Sequence, residues 1–211
     1  GNVILADINF IKLKELNQNL KFKFPNSKIF IIKSDVTSTD GIENLIKQSN
    51  LFINKIDGAV HGAYPTSKGW GDKFENLKEE NLYSDISMQL GGAIIFSQKI
   101  LEVFKSNGGG NLIHISSIQG IRAPKFEHYE GTNMNSPIEY SAIKSGIISI
   151  TAWLAKYHSK RNIRVNCISP GGILDNQPEI FLENYRKSCS NIGMLNAKEV
   201  AKSIVFLLSE K

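Results

Sequence analysis

A tyrosine and a lysine four residues apart, in Tyr140-Ser-Ala-Ile-Lys144, carry the clearest chemical suggestion in the chain. On a helix, one turn sets the phenol and the ammonium on the same face. A phenol ordinarily titrates near pH ~10. A cation held beside it favours phenolate and brings proton exchange toward neutral pH. Lowering the phenol pKa by about 3 takes roughly 4 kcal/mol of differential interaction. Surface pairs of this kind are common, so the neighbours of the pair decide its weight. Upstream, Asn111-Leu-Ile-His-Ile-Ser-Ser117 is an apolar run that ends in two hydroxyls. Downstream, Ile163-Arg-Val-Asn-Cys-Ile-Ser-Pro-Gly-Gly-Ile173 is a second such run that closes on a Pro-Gly-Gly turn.

Strand-like runs occur at Val3–Ala6, Ile29–Lys33, Asp57–His61, Asn111–Ile115 and Arg164–Ile168. Between and after them, helical patterns are expected at Ile11–Leu20, Gly41–Ser49, Leu82–Lys105, Ile138–Lys160 and Ala197–Ser209. Alternation of this kind implies β-α-β units and a parallel sheet with helices on both faces. With no repeat, low-complexity tract or interdomain linker, residues 1–211 read as one α/β domain. Gly108-Gly-Gly110 reads as a loop and not a phosphate cradle, because no helix starts after it.

Bulk properties exclude several classes. The formal charge is +5, but the lysines are scattered over the expected helices without a basic stripe or a nucleic-acid motif. Cys167 and Cys189 have neither metal-ligand spacing nor the look of a disulfide framework, which favours a reducing, cytoplasmic setting and no metal site. No run of residues is apolar for long enough to suggest a membrane span.

Taken in order, these motifs resemble the short-chain dehydrogenase/reductase family over essentially the whole chain. The resemblance implies a doubly wound Rossmann-type sheet and hydride transfer between a nicotinamide and a substrate carbon bearing oxygen. It implies that Tyr140 exchanges the oxygen-bound proton, that Ser117 (with Ser116 its neighbour) orients that oxygen, and that Lys144 holds the nicotinamide ribose and depresses the phenol. It further implies that Pro170, Gly171, Gly172 and Ile173 form the turn beneath the nicotinamide. Asp35 and Val36, in Ser34-Asp-Val36, would line the adenine pocket, with a plain turn as the alternative. Asp7 ends Val3-Ile-Leu-Ala-Asp7, where an acid can accept both ribose hydroxyls and repel a 2′-phosphate, favouring NAD over NADP. A turn or N-cap acid is the other reading of Asp7.

Departures from the family pattern stand out. The asparagine that the family uses as a proton relay on the long helix is replaced by Gln89, an amide one methylene further out. His61-Gly-Ala-Tyr-Pro65 stands where the family has Asn-Asn-Ala-Gly, although Gly62 and Ala63 are small enough to keep backbone contacts to the cofactor. His61 itself reads as a packed or capping histidine, with a proton carrier as the alternative. Asp175 and Asn176 occupy the region where a threonine usually contacts the carboxamide. Ser117 and Tyr140 are also separated by an insertion, Ile121 to Pro137, that could line a polar, sugar-like substrate or simply loop into solvent.

A dinucleotide-binding fold places a Gly-rich turn after its first strand. Here Gly1-Asn-Val-Ile-Leu-Ala-Asp7 reads as the second strand. The expectation is therefore a fragment lacking the first strand, the glycine turn and the last strand, poorly folded and unable to hold a dinucleotide by itself. Ala63-Tyr-Pro, Ala123-Pro-Lys-Phe-Glu-His-Tyr-Glu-Gly-Thr and Ser169-Pro-Gly-Gly-Ile-Leu-Asp-Asn-Gln-Pro look like the flagellin-modification branch, which implies a sugar or nucleotide-sugar substrate. A 3-oxoacyl thioester reductase and a non-catalytic dinucleotide-binding protein are the alternatives. The family also implies a homodimer or homotetramer built through the long helices.

Overall fold

The computed structural model describes residues 1–209. Five strands form where the apolar runs predict them: β1 (Asn2–Asp7), β2 (Lys28–Lys33), β3 (Gly58–His61), β4 (Gly110–Ile115) and β5 (Ile163–Ile168). The helices are α1 (Phe10–Lys23), α2 (Thr39–Phe52), α3 (Glu79–Asp85), α4 (Gly92–Ser106), α5 (Ile138–Tyr157), α6 (Glu179–Lys187) and α7 (Ala197–Leu208). Local chemistry starts several of them. Asn9 and Ser38 accept N-terminal amides of α1 and α2, and Asn196 with Glu199 makes a capping box on α7.

All strand pairing is parallel. β1 pairs with β2, and β4 lies between β3 and β5; among the described residues no ladder joins the two groups. One core nevertheless serves both. Ile32 from β2 and Ile42 from α2 share a cluster with Phe96, Ile100 and Phe104 of α4, Leu112 of β4 and Val165 of β5. Helix α4 thus ties the two halves together. At the entry to β4, Gly110 packs so closely on the Phe104 ring that a Cβ there would overlap it.

Two differences from the sequence reading concern helices. The expected Leu82–Lys105 helix is interrupted by a π-helical turn over Ile86–Gly91, which joins α3 to α4. Such turns insert one extra residue and rotate the following side chains. Helix α6 lies outside the helical patterns that the sequence predicts. Its signals are short-range: Pro178 before it, Glu179 in its first turn, and Arg186 and Lys187 in its last.

Candidate active site

In an open parallel sheet, the crevice outside the carboxyl ends of the strands is the natural ligand site. There the fold gathers Asp7 at the end of β1, Asp35 and Val36 after β2, Gly62 and Ala63 after β3, Ser117 after β4, and Pro170 to Ile173 after β5. Helix α5 brings Tyr140 and Lys144 to the same end.

The two serines after β4 have separate duties. The Ser116 hydroxyl donates to the Lys144 carbonyl (2.8 Å), so it pins α5 to the sheet. Ser117 caps a 3₁₀ turn, Ile118–Gly120, by accepting the Gln119 amide (3.2 Å), and its hydroxyl also lies beside the Tyr140 phenol. This turn sits directly on α5. A Cβ at Gly120 would come within 2.7 Å of the Lys144 carbonyl carbon, so only glycine allows the approach. The Ile118 amide donates to the Pro170 carbonyl (3.0 Å), which ties the turns after β4 and β5 together.

Lys144 is 6% exposed. Its ammonium donates to the Ile115 carbonyl (3.0 Å) and lies 5.5 Å from the Tyr140 ring centroid and 5.3 Å from that of Tyr64. Burial pushes its pKa down to about 8. Tyr140 departs from the sequence expectation of a depressed phenol. Burial raises its pKa, and the neighbouring Ser117 hydroxyl offsets this only in part. The reason is geometric: the ammonium faces the ring and a backbone carbonyl, so desolvation outweighs its charge.

Tyr64, Trp70 and Tyr140 form an edge-to-face triangle with centroid separations of 5.4, 6.0 and 6.1 Å. Tyr64 remains 47% exposed, so the triangle forms one wall of the crevice. Asp85 anchors the loop that carries Tyr64 and Trp70. It is fully buried and accepts both the Ser67 amide (2.6 Å) and the Ser67 hydroxyl (2.8 Å). Next to Tyr140, burial raises the Glu139 carboxyl pKa, with Asp85 adding to the effect. Gln89 projects from the π-helical turn into the interior at 2% exposure, and its Nε2 has no hydrogen-bond partner among the described residues.

His61 and His114 are packed in the interior. His114 is enclosed between Ser97 Oγ (2.9 Å from Nε2) and Thr151 Oγ1 (2.8 Å from Nδ1), which links α4, β4 and α5. His61 packs against Phe96 and lies 6.2 Å from His114, centroid to centroid. Burial pushes both down to about 4, with Lys144 also disfavouring charge on His61 and His61 on His114. The unfolded imidazoles titrate near ~6.5, so the unfolded chain holds more protons between that pH and about 4. Stability is therefore full above ~6.5 and falls as the pH drops through this window. We expect urea unfolding to show a loss of about 3 kcal/mol for each imidazole between pH 7 and pH 4. His114→Gln should flatten that dependence; an unchanged slope would contradict the assignment.

Asp7 and Asp35 are engaged in turns. Asp7 Oδ1 accepts the Asn9 amide (2.7 Å) on an exposed surface. Asp35 Oδ1 accepts the Thr37 hydroxyl (2.7 Å) and amide (2.9 Å), and these bonds hold its carboxyl below the usual range. After β5, the Gly172 amide donates to the Tyr185 hydroxyl of α6 (2.7 Å), and the Leu195 amide donates to the Gly172 carbonyl (2.7 Å). Asp175 and Asn176 lie in the turn before α6, with Asn176 in the left-handed region (φ 57°).

The Ile121–Pro137 insertion is an ordered part of this end of the molecule. It forms a 3₁₀ turn at Phe126–Tyr129, whose Tyr129 ring packs against Phe181 of α6. His128 Nε2 meets Ser188 Oγ at 2.6 Å, and Asn184 Nδ2 donates to the Glu130 carbonyl. Tyr64, Trp70, Asp85, Tyr129 and Tyr185 thus join the site by long-range packing that spacing along the chain does not reveal. Among the described residues, no group of His, Cys, Asp and Glu side chains could hold a metal ion, and no helix is long and apolar enough to cross a membrane.

The family model described as enoyl-(acyl carrier protein) reductase matches residues 1–211. Post-translational flagellin modification protein A of Campylobacter coli is 44% identical over 212 residues, covering 100% of this chain and 82% of that protein. The 7alpha-hydroxysteroid dehydrogenase of Bacteroides fragilis is 25% identical over 215 residues, covering 100% of this chain and 78% of its own. Among solved structures, a short chain dehydrogenase of Leptospira borgpetersenii with bound NAD+ is similar at a TM-score of 0.76 and 26% identity, covering 98% of this chain and 85% of that one.

Proposed function

The chain belongs to the short-chain dehydrogenase/reductase family of NAD(P)-dependent oxidoreductases, and on that premise we propose that it acts on a sugar or nucleotide-sugar derivative in flagellin or surface-glycan modification. The observation that carries the catalytic reading is the convergence of Ser117, Tyr140 and Lys144 at the carboxyl ends of the strands. The sugar class rests on the 44% identical flagellin-modification relative. The half-exposed Tyr64 ring also offers an aromatic face on which a sugar could stack.

The chain's own groups fit a nicotinamide cofactor. Lys144 has three N–H donors and spends one on Ile115, with no carboxylate among the described residues to claim the others. Two remain for ribose hydroxyls. Gly62 is exposed, and a Cβ there would meet nothing closer than 3.8 Å, so backbone can approach a ligand. Ala63, Pro170, Gly171, Gly172 and Ile173 border the same crevice, while Asp35 and Val36 stand at its adenine end. When bound, the nicotinamide supplies or accepts the hydride.

Tyr140 gives its phenolic proton to the substrate oxygen in reduction and takes it back in oxidation. Ser117 donates a hydrogen bond to that oxygen and fixes its position. The raised phenol keeps Tyr140 protonated at neutral pH, which suits the donor role. Lys144, redirected toward the phenol and ribose side, would lower the phenol again and assist the reverse direction. Gln89 is assigned to proton relay, because its buried amide has a donor to spare. The domain is proposed to work in the cytoplasm as a homodimer or homotetramer, using the exposed Ile94, Ile95, Trp153 and Tyr157 of α4 and α5.

Asp7 has one carboxylate oxygen free of the Asn9 contact, and we assign it to the adenine ribose. NADH should therefore bind more tightly than NADPH in a fluorescence titration. Asp7→Ala should shift the ratio toward NADPH by about tenfold, equivalent to ~1.4 kcal/mol. NADPH preference in the unaltered enzyme would instead favour the thioester-reductase alternative.

A further inference from the structure

The insertion encloses a cavity that the hydride-transfer site does not use. It has a volume of about 70 Å³ and lies between the Ile118–Gly120 turn, the Phe126–Tyr129 turn and the end of α6. A cavity needs only about 10–15 Å³ by this measure to hold a water, so there is room for a small oxyanion. Its charged lining is Arg122 and Lys125, with the His128 imidazole and the Ser188 hydroxyl beside them. Among the described residues, nothing acidic lines it. Glu127 acts on His128 from outside, and burial together with the Lys125 charge outweighs it, leaving the imidazole pKa lowered.

The cavity adjoins the catalytic crevice. Gln119, two residues after Ser117, donates through Nε2 to the Tyr129 hydroxyl (3.3 Å), and the Tyr129 ring edges the cavity. The Tyr129 phenol is also near enough to Tyr140 to influence its titration. On the other side, Tyr185 lines the cavity and holds the Gly172 amide. The same two elements therefore shape both spaces.

We propose that the cavity bounded by Arg122, Lys125, His128 and Ser188 is an oxyanion subsite, which binds a phosphate or carboxylate group carried by the substrate. Arg122 supplies a planar fork of donors, Lys125 a point charge, and Ser188 a hydroxyl, the usual means of holding such a group. His128 currently shares its Nε2 with Ser188, and a bound oxyanion would compete for that hydroxyl and favour imidazolium. The assignment rests on the substrate reading above and narrows it to an anionic sugar derivative. A neutral sugar would leave the subsite empty.

The test is a proton NMR titration of the His128 ring with inorganic phosphate and, separately, with acetate, at constant ionic strength. His128→Gln identifies the resonance among the chain's four histidines. Saturable movement of that resonance, with an upward shift in its pKa, is expected. Arg122→Gln with Lys125→Gln should weaken binding at least tenfold, in keeping with charge-assisted bonds of ~1.5–3 kcal/mol. Both side chains are exposed, so an unchanged far-UV spectrum serves as the folding control. Preference for phosphate points to a phosphorylated or nucleotide-linked substrate, and preference for acetate to a sugar acid. No saturable shift, or equal binding by the double variant, overturns the proposal. The readout needs no turnover: phosphate binding in an inactive protein would sink the enzymatic reading alone, and turnover without it would sink the subsite alone.

Discussion

Replacing Tyr140 by phenylalanine is expected to lower turnover about a thousandfold, within the ~10²–10⁴ range for loss of a general acid or base. Affinity for NADH should change less than about twofold. The ring stays, and with it the edge-to-face contacts to Tyr64 and Trp70 and the surface facing the Lys144 ammonium. Only the hydroxyl beside Ser117 is removed. Stopped-flow measurement of NADH oxidation with a nucleotide-linked keto sugar, alongside fluorescence titration of cofactor binding, separates the two quantities. Equal turnover in the variant would remove Tyr140 from the chemistry. Loss of NADH affinity would recast it as a binding residue.

The second large effect runs in opposite directions for stability and function. Lys144→Met should raise the stability of the cofactor-free protein by about 2 kcal/mol while reducing turnover at least a hundredfold. Folding lowers the Lys144 pKa from its ordinary 10.5 to about 8, because the ammonium is buried. Between those values the unfolded chain holds the extra proton, so stability rises with pH through that window. Below about 8 the desolvation penalty is fully present, at ~1.4 kcal/mol per pH unit of depression. Methionine removes the penalty, and the lost bond to the Ile115 carbonyl returns only about 1 kcal/mol of it. Urea unfolding at pH 7, compared between the two proteins, checks the sign. A variant less stable than its parent would mean that the ammonium is stabilising where it stands.

The sequence made the strands legible because each is a short apolar run bounded by turn residues, as in Asn111 to Ile115 and Arg164 to Ile168. The placement of Ser117, Tyr140 and Lys144 was legible for a related reason: Ser117 follows a strand, and Tyr140 and Lys144 lie one turn apart on a helix, so local rules bring all three to one end. What surrounds them was not. Asp85 reaches Ser67 across 18 residues, and Tyr185 reaches Gly172 across 13, with no periodic signal in either case. The π-helical turn at Ile86–Gly91 depends on packing against α5 and is invisible in hydrophobic spacing. Spacing alone does not set the titration of Tyr140, because the i to i+4 rule brings two side chains to one face without fixing where the ammonium points. Here Lys144 is drawn to the Ile115 carbonyl, and burial then governs the phenol.

The central claim is that Lys144 and Asp7 mark opposite ends of one nicotinamide dinucleotide site across the carboxyl edge of the sheet. Fluorescence titration of the enzyme, its Lys144→Met variant and its Asp7→Ala variant with NADH and with NADPH tests it most directly. The account predicts saturable binding with NADH preferred, weakened about tenfold by Lys144→Met and shifted toward NADPH by Asp7→Ala. No saturable binding of either dinucleotide, or binding indifferent to both substitutions, would contradict it.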